Sequence, residues 1–312
     1  MLFIDDDRIR EALDYPQLIE ALRKIFLSEY TMKLRHHHFY QSESGSENAL
    51  ILMPVWNKEF MGIKQVIVAP DNHKIGLPSI SAQYTLLDTQ TGRVLALMNA
   101  TELTARRTAC TSALAASYLA PLDASDLLVV GGGSVAKHLV QAHNVVRNYT
   151  NIKVWMRNPD KKQVFVKELQ DQGYSVEAAE DLEVAVKQAD VISCATLSAD
   201  PIIKGSWIKK GTHLDLIGSH KPDTREVDDE AISRAAVFVD SRMGALHETG
   251  ELAIPIASGL LKEEDVLADI TQLVSGQHPG RRNKEEITLF KSAGLAVEDL
   301  AAALLVYQTV VG

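Results

Sequence analysis

The residues best placed to do chemistry in the middle of this chain are small ones. Gly131, Gly133 and Ala136 form a G-x-G-x-x-A pattern within Gly131-Gly132-Gly133-Ser134-Val135-Ala136. That spacing suits the pyrophosphate of a dinucleotide. The first glycine permits a tight turn, the second lets the pyrophosphate approach the backbone, and the small third residue lets helix and strand pack closely. Alone the pattern is weak, because three adjacent glycines also make a plain turn, so its setting decides. Residues 127–130 are an apolar run without alternation, as in a buried parallel strand. A helical pattern with apolar Val135, Leu139, Ala142 and Val146 follows, and residues 152–156 supply a second strand. A helix starting at the glycines offers free N–H groups and a positive dipole end to phosphates.

The end of that second strand bears on which dinucleotide binds. A carboxylate there takes the ribose 2′-hydroxyl, whereas an arginine pairs with a 2′-phosphate. This chain has Arg157-Asn158, with no carboxylate until Asp160, beyond Pro159. The pair points to NADPH, with NADH as the second cofactor, against the plainer reading of a solvated surface arginine.

The elements around this unit fall into two sets. Residues 13–32 read as an amphipathic helix, with Leu18, Leu22, Ile25 and Phe26 on one face. A polar loop is expected around residues 42–48, strands at 49–55 and 60–70, and a hairpin over 79–98 turning through Asp88-Thr89-Gln90-Thr91-Gly92. A helix over 102–119 carries Arg106 and Arg107. After residue 126 the pattern alternates strand and helix, which places a domain boundary near 120–125. Helices are expected at 159–172, 228–235 and 261–274, and strands at 191–195, 213–217, 237–239 and 287–290. A last apolar helix over 295–311 would return to the first domain. The predicted fold is α/β: a doubly wound Rossmann-type domain over 121–294, and an α+β substrate and dimerisation domain over 1–120 completed by 295–312.

The chain's 312 residues suffice for two cores, and 46% apolar with 23% charged residues is ordinary for a globular protein. A net charge of −9 argues against nucleic acid as a partner. The start Met-Leu-Phe-Ile-Asp-Asp-Asp is acidic, unlike a signal peptide, and no apolar run has the length of a membrane span. Cys110 and Cys194 are single and far apart, which fits a reducing cytoplasm. Arg35 is followed by His36-His37-His38, but neighbours in an extended segment point to opposite faces, so the three cannot converge on one metal ion. No metal site is expected.

Several segments resemble the ornithine cyclodeaminase/mu-crystallin family along nearly the whole chain. They are Met53-Pro54, Gly62-Ile63-Lys64, Gly76-Leu77-Pro78, the run from Leu103 to Ala109, the glycine turn, and Ser292-Ala293-Gly294-Leu295-Ala296-Val297-Glu298-Asp299. Leu-Thr-x-x-Arg-Thr-Ala and Gly-x-Ala-x-Glu-Asp are the specific ones. The family holds ornithine cyclodeaminase, alanine dehydrogenase, ketimine reductases and Δ1-pyrroline-2-carboxylate reductases. Its members share a Rossmann domain, a dimerising substrate domain and small amino-acid or cyclic imino-acid substrates.

The resemblance implies roles by position. Lys64 and Arg107 would be catalytic and would hold the substrate carboxylate, with Arg35 as a third cation. Paired cations are what a small carboxylate in a closed site needs, and a planar arginine fork fixes its orientation. Gly131, Gly133, Ser134 and Val135 would hold the pyrophosphate, Arg157 and Asn158 the ribose end, Thr196 would approach the cofactor, and Ser292 and Gly294 would lie near the nicotinamide. One departure matters. Where ornithine cyclodeaminase has an aspartate in a Gly-Gly-Asp segment, this chain has His220 in Gly218-Ser219-His220-Lys221-Pro222. The Arg-His-His stretch and this segment look closest to the pyrroline-2-carboxylate reductase branch. The expected activity is NAD(P)H-dependent reduction of Δ1-pyrroline-2-carboxylate, and of its six-membered homologue, in a cytoplasmic homodimer. The rivals are ornithine cyclodeaminase, an alanine-type dehydrogenase, and a non-catalytic NADPH-binding protein like mu-crystallin.

Overall fold

The computed structural model describes residues 1–43 and 45–312. Ser44, inside the polar loop expected around residues 42–48, lies outside the described residues. In chain order the elements begin with β1 (Leu2–Ile4), α1 (Asp6–Ala12), α2 (Tyr15–Phe26), β2 (Thr31–Met32), β3 (His36–Gln41), β4 (Glu47–Trp56) and β5 (Phe60–Val68). There follow β6 (Ile80–Asp88), β7 (Val94–Asn99), α3 (Thr101–Leu119), β8 (Asp126–Val130), α4 (Ala136–Val146), β9 (Asn151–Trp155), α5 (Pro159–Asp171), β10 (Val176–Ala178) and α6 (Leu182–Gln188). The chain then forms β11 (Val191–Cys194), β12 (His213–Leu216), α7 (Asp229–Arg234), β13 (Ala235–Val239), α8 (Arg242–Glu248) and α9 (Gly250–Ala257). It ends with β14 (Ala268–Asp269), α10 (Ile270–Val274), β15 (Ile287–Lys291) and α11 (Ala296–Val311).

The chain divides into two compact units, Met1–Arg107 with Leu295–Gly312, and Thr108–Gly294. The division falls inside α3, and residues 120–125 belong to the second unit. The helix is shared for a physical reason. Arg107 pairs with Glu298 and Asp299 of the first unit. The carbonyls of Tyr118 and Leu119 accept from Arg281 of the second.

The first unit is a seven-stranded sheet in the order β1-β7-β6-β5-β4-β2, with β3 also paired to β4. All pairs are antiparallel except β1 with β7. Directly paired residues share a face, so Met53, Lys64, Tyr84 and Met98 form one row across β4, β5, β6 and β7. All four are buried, on the face that α11 covers.

The helix expected over 13–32 is present as α2 over residues 15–26, but it ends sooner, with β2 after it and the separate α1 before it. Asp5 caps α1, and Asp14 accepts from Gln17 N–H to start α2, with Pro16 in its first turn. Two caps so close restart the helix whatever the apolar spacing says.

The second unit is an eight-stranded, wholly parallel sheet in the order β10-β9-β8-β11-β12-β15-β13-β14, with the Rossmann-type arrangement that the alternating pattern predicts. The order reverses between β8 and β11, which makes that boundary the switch point where such sheets take ligands. The helix expected over 261–274 is replaced by a short 3-10 turn, β14 and α10. Asp269 and Gln272 form a capping box that starts α10 only at Ile270, while Ala268 pairs with Phe238 of β13. Helices α6, α8 and α9 carry no strong sequence signal, and α9 even contains Pro255.

Candidate active site

In the second unit, β8 runs into the glycine turn and then into α4. Gly131 sits at φ +122°, and a Cβ there would run into the Ala195 carbonyl at the end of β11. Only glycine fits on both counts. Nothing lies within 4 Å of a Cβ built on Gly133, so the space over it is open. Val135 precedes α4 with no side-chain cap, and Ser134 is exposed, while the N–H groups of Lys137 and His138 donate to the carbonyls of Gly133 and Val135. An open cradle, an uncapped helix start and a forced glycine together fit the pyrophosphate of a nicotinamide dinucleotide.

Two loops beside this turn are held by buried carboxylates. Glu226 Oε1 accepts from both the backbone N–H and the hydroxyl of Thr196, each at 2.8 Å, and its Oε2 accepts from Gly218 N–H at 2.7 Å. It thereby ties the end of β11 to the end of β12. Glu251 accepts in turn from the N–H groups of Glu226 and Val227. Burial pushes Glu251 up to about 7, against the pull of Lys291 and with a further push from Glu226. Lys291 donates to the carbonyls of Leu216 and Ser219. Asp240, at the end of β13, accepts at 2.6 Å from the N–H groups of both Ala293 and Gly294, with the Ser292 hydroxyl at 3.3 Å. Gly294 takes φ +83° in this turn. Burial raises the Asp240 carboxyl even though these N–H bonds oppose the shift.

The sequence-expected residues of this unit therefore separate by environment. Thr196 lies against the turn, its methyl 3.4 Å from a Cβ built on Gly131, with its donors engaged by Glu226. Asn158 accepts from Lys161 N–H as the cap of α5, while Arg157 is exposed. His220 is exposed, with Nδ1 3.1 Å from the Gly218 carbonyl.

The first unit brings Lys64 and Arg107 together on one carboxylate. Lys64 Nζ lies 3.0 Å from Oδ1 and 2.8 Å from Oδ2 of Asp299, with hydrogen-bond geometry to Oδ1. Arg107 Nε donates to the same Oδ1 at 2.8 Å, and its Nη1 donates to Glu298. All four groups are buried. Burial brings Lys64 down to about 8, with Asp299 opposing the fall and Arg107 and Arg35 adding to it. For Arg107, burial works against the charge, but Asp299 and Glu298 raise its affinity for the proton. Tyr84 completes the wall. Its hydroxyl occupies the place a Cβ on Gly62 would need, so Gly62 cannot carry a side chain. Burial, and then Asp299, push the phenol well up, so it stays neutral. Glu298 and Asp299 stand in a segment read for its resemblance, yet they received no role there, because nothing local announces a partner some two hundred residues away.

Known proteins are similar to this chain in sequence and in fold. The model of the ornithine cyclodeaminase/mu-crystallin family matches residues 7–312. The chain belongs to this family. The Δ1-pyrroline-2-carboxylate reductase of Colwellia psychrerythraea is 34% identical over 307 residues, covering 97% of both sequences. Among solved structures, the Thermococcus litoralis Δ1-pyrroline-2-carboxylate reductase in complex with NADH and L-proline superposes with a TM-score of 0.92. It is 33% identical and covers 99% of this chain and 97% of that one. An archaeal alanine dehydrogenase dimer with bound NAD follows at a TM-score of 0.90, 30% identical, covering 99% and 95%. The family resemblance read from the motifs holds, and the chain is an oxidoreductase that uses a nicotinamide cofactor. Among the described residues, no helix is long and apolar enough to cross a membrane.

Proposed function

We propose that this protein reduces Δ1-pyrroline-2-carboxylate to L-proline, accepts the six-membered homologue, and prefers NADPH. The observation that carries this reading is the pair of buried cations in the first unit. Lys64 and Arg107 meet on the one carboxylate of Asp299, and Arg35 also acts on Lys64, a cationic setting that suits a small substrate carboxylate. Relatives that carry the reductase name, and a neighbour holding NADH and L-proline, support the substrate class.

The chain's own residues would then act as follows. Arg107 is held flat by Asp299 and Glu298 and presents a fixed guanidinium edge to the carboxylate. Lys64 lies beside it with three donors, of which Asp299 takes one. Reducing C=N adds a hydride to carbon and a proton to nitrogen. A lysine brought down to about 8 is charged at neutral pH yet able to release its proton, which suits it to protonate the nitrogen and recover the proton from water. The dinucleotide, with its pyrophosphate at the turn of Gly131, Gly133, Ser134 and Val135, would supply the hydride. Thr196, Ser292 and Gly294 would line its path, and Arg157 would meet a 2′-phosphate. A histidine at position 220 carries no negative charge in either protonation state to meet the side-chain amine of ornithine, which disfavours cyclodeamination. Both cysteines are buried and outside any disulfide among the described residues, in keeping with a cytoplasmic setting.

The test is direct. The purified protein is given the five- and six-membered cyclic imines with NADPH or NADH, and separately L-ornithine with catalytic NAD⁺. Proline formation with cofactor oxidation, and negligible ammonia from ornithine, is the expected pair of results. Rapid ammonia release would assign the chain to cyclodeamination instead. Cofactor binding with no turnover on any imine would make it a binding protein.

A further inference from the structure

One carboxylate serves both cations in the first unit. Asp299, in the first turn of α11, touches Lys64 in the middle of β5 and Arg107 in α3 through the same Oδ1. Glu298, its neighbour in the chain, touches Arg107 and makes no ion pair with Lys64. Lys64 is further faced by Arg35, which precedes β3, and Tyr84 on β6 is paired with it across the sheet. The Tyr84 hydroxyl makes no hydrogen bond among the described residues. Tyr84 stays neutral and both arginines are cations, so of all these groups only Asp299 favours a charged ammonium at Lys64. Without it, burial and two guanidinium groups would all drive the proton off.

We infer that Asp299 is a positioning residue with two separable tasks: it keeps Lys64 charged as the proton donor and holds Arg107 flat for the carboxylate, whereas Glu298 performs only the second. The inference rests on the proposed reductase reading, because Lys64 is the donor only there. It also divides two adjacent acidic residues by function, which their shared helix turn would not suggest.

The two tasks leave different marks. A donor must be protonated, so the rate falls as pH rises through the Lys64 midpoint. Asp299→Asn keeps the shape and an acceptor oxygen but removes the charge, so that midpoint drops. The basic limb of kcat/KM should move toward acid by about one pH unit or more, the usual effect of losing an opposite charge in contact. Glu298→Gln should raise the KM for the imine roughly tenfold, the loss of one charge-assisted bond, and leave the limb in place. If Asp299→Asn lowers the rate equally at every pH, its role is structural and the inference falls.

A second measurement needs neither turnover nor a folded Asp299 variant. In wild-type protein labelled at the lysine ε-carbon, the NMR resonance missing from Lys64→Met should titrate near pH 8. A midpoint below about pH 6, as for a buried lysine without a compensating anion, would overturn the inference even if Asp299→Asn does not fold. If wild type shows the expected titration but reduces no imine, Asp299 keeps its effect on Lys64 and the reductase reading is what fails.

Discussion

In the proposed reading, cofactor choice falls to three consecutive side chains after β9. The Met156 methyl sits where a Cβ on Gly132 would go, so this side chain closes over the glycine turn. Asn158 is engaged in capping α5. Arg157 is exposed, so it is the one of the three that would meet a 2′-phosphate. Arg157→Ala should raise the Michaelis constant for NADPH about tenfold, the low end for a charge-assisted bond at an exposed position, and leave NADH nearly unchanged. Steady-state kinetics with both cofactors checks this; equal effects would make Arg157 a surface residue. At this scale the sequence was legible where chemistry is local. Three glycine-turn residues and the Arg-Asn pair can be read from spacing. Asp299, Glu226, Glu251 and Asp240 cannot, because each finds its partners only after distant strands have aligned.

Elements matter here chiefly for where they end. The strands β11 and β12 stop beside the glycine turn, and their following loops have no regular structure to hold them. Glu226 supplies that hold with three accepted hydrogen bonds, two to Thr196 and one to Gly218. Gly218 has no room for a Cβ, which would meet the backbone of Thr196 and Glu226 itself, so the two loops are in close contact. Glu226→Gln replaces one acceptor with a donor and leaves at least one buried N–H unpaired, a loss of roughly 1–3 kcal/mol. We expect the dissociation constants of NADPH and NADH to rise together, by about tenfold, with the KM for the imine little changed. Titration calorimetry separates this from Arg157→Ala, which should affect NADPH alone. Unchanged affinity for both cofactors would show that the loops keep their places without the carboxylate. Six of the eight parallel strands were predicted to within a residue or two, because an unbroken apolar run has few alternatives, whereas the short β10 and β14 were not. Helix limits were not, since the caps at Asp14 and Asp269 override the apolar periodicity that spans them.

For the whole molecule, the sheet of the first unit has an outer face that a lone chain leaves half covered. An antiparallel sheet with one wet face should alternate apolar inward with polar outward. The inward row of Met53, Lys64, Tyr84 and Met98 is buried, but the next row outward is Pro54, Ile63, Thr85, Leu97 and Phe3, running across β4, β5, β6, β7 and β1. Beyond it, Trp56, Met61 and Leu87 repeat the pattern. All of these are partly exposed, and Phe3 is 63% exposed. A contiguous apolar surface of this kind is a site for association, and a flat sheet face pairs most simply with its own copy about a two-fold axis. The expected state is a homodimer formed through this face. Light scattering at micromolar concentration should give twice the chain mass of 34.3 kDa. Ile63→Lys with Leu97→Glu would place charges in the middle of the face, on neither the Lys64 side nor the cofactor unit. The pair should shift the mass toward that of one chain; a dimer that survives both charges, or a wild-type monomer, would show that this face is covered in some other way.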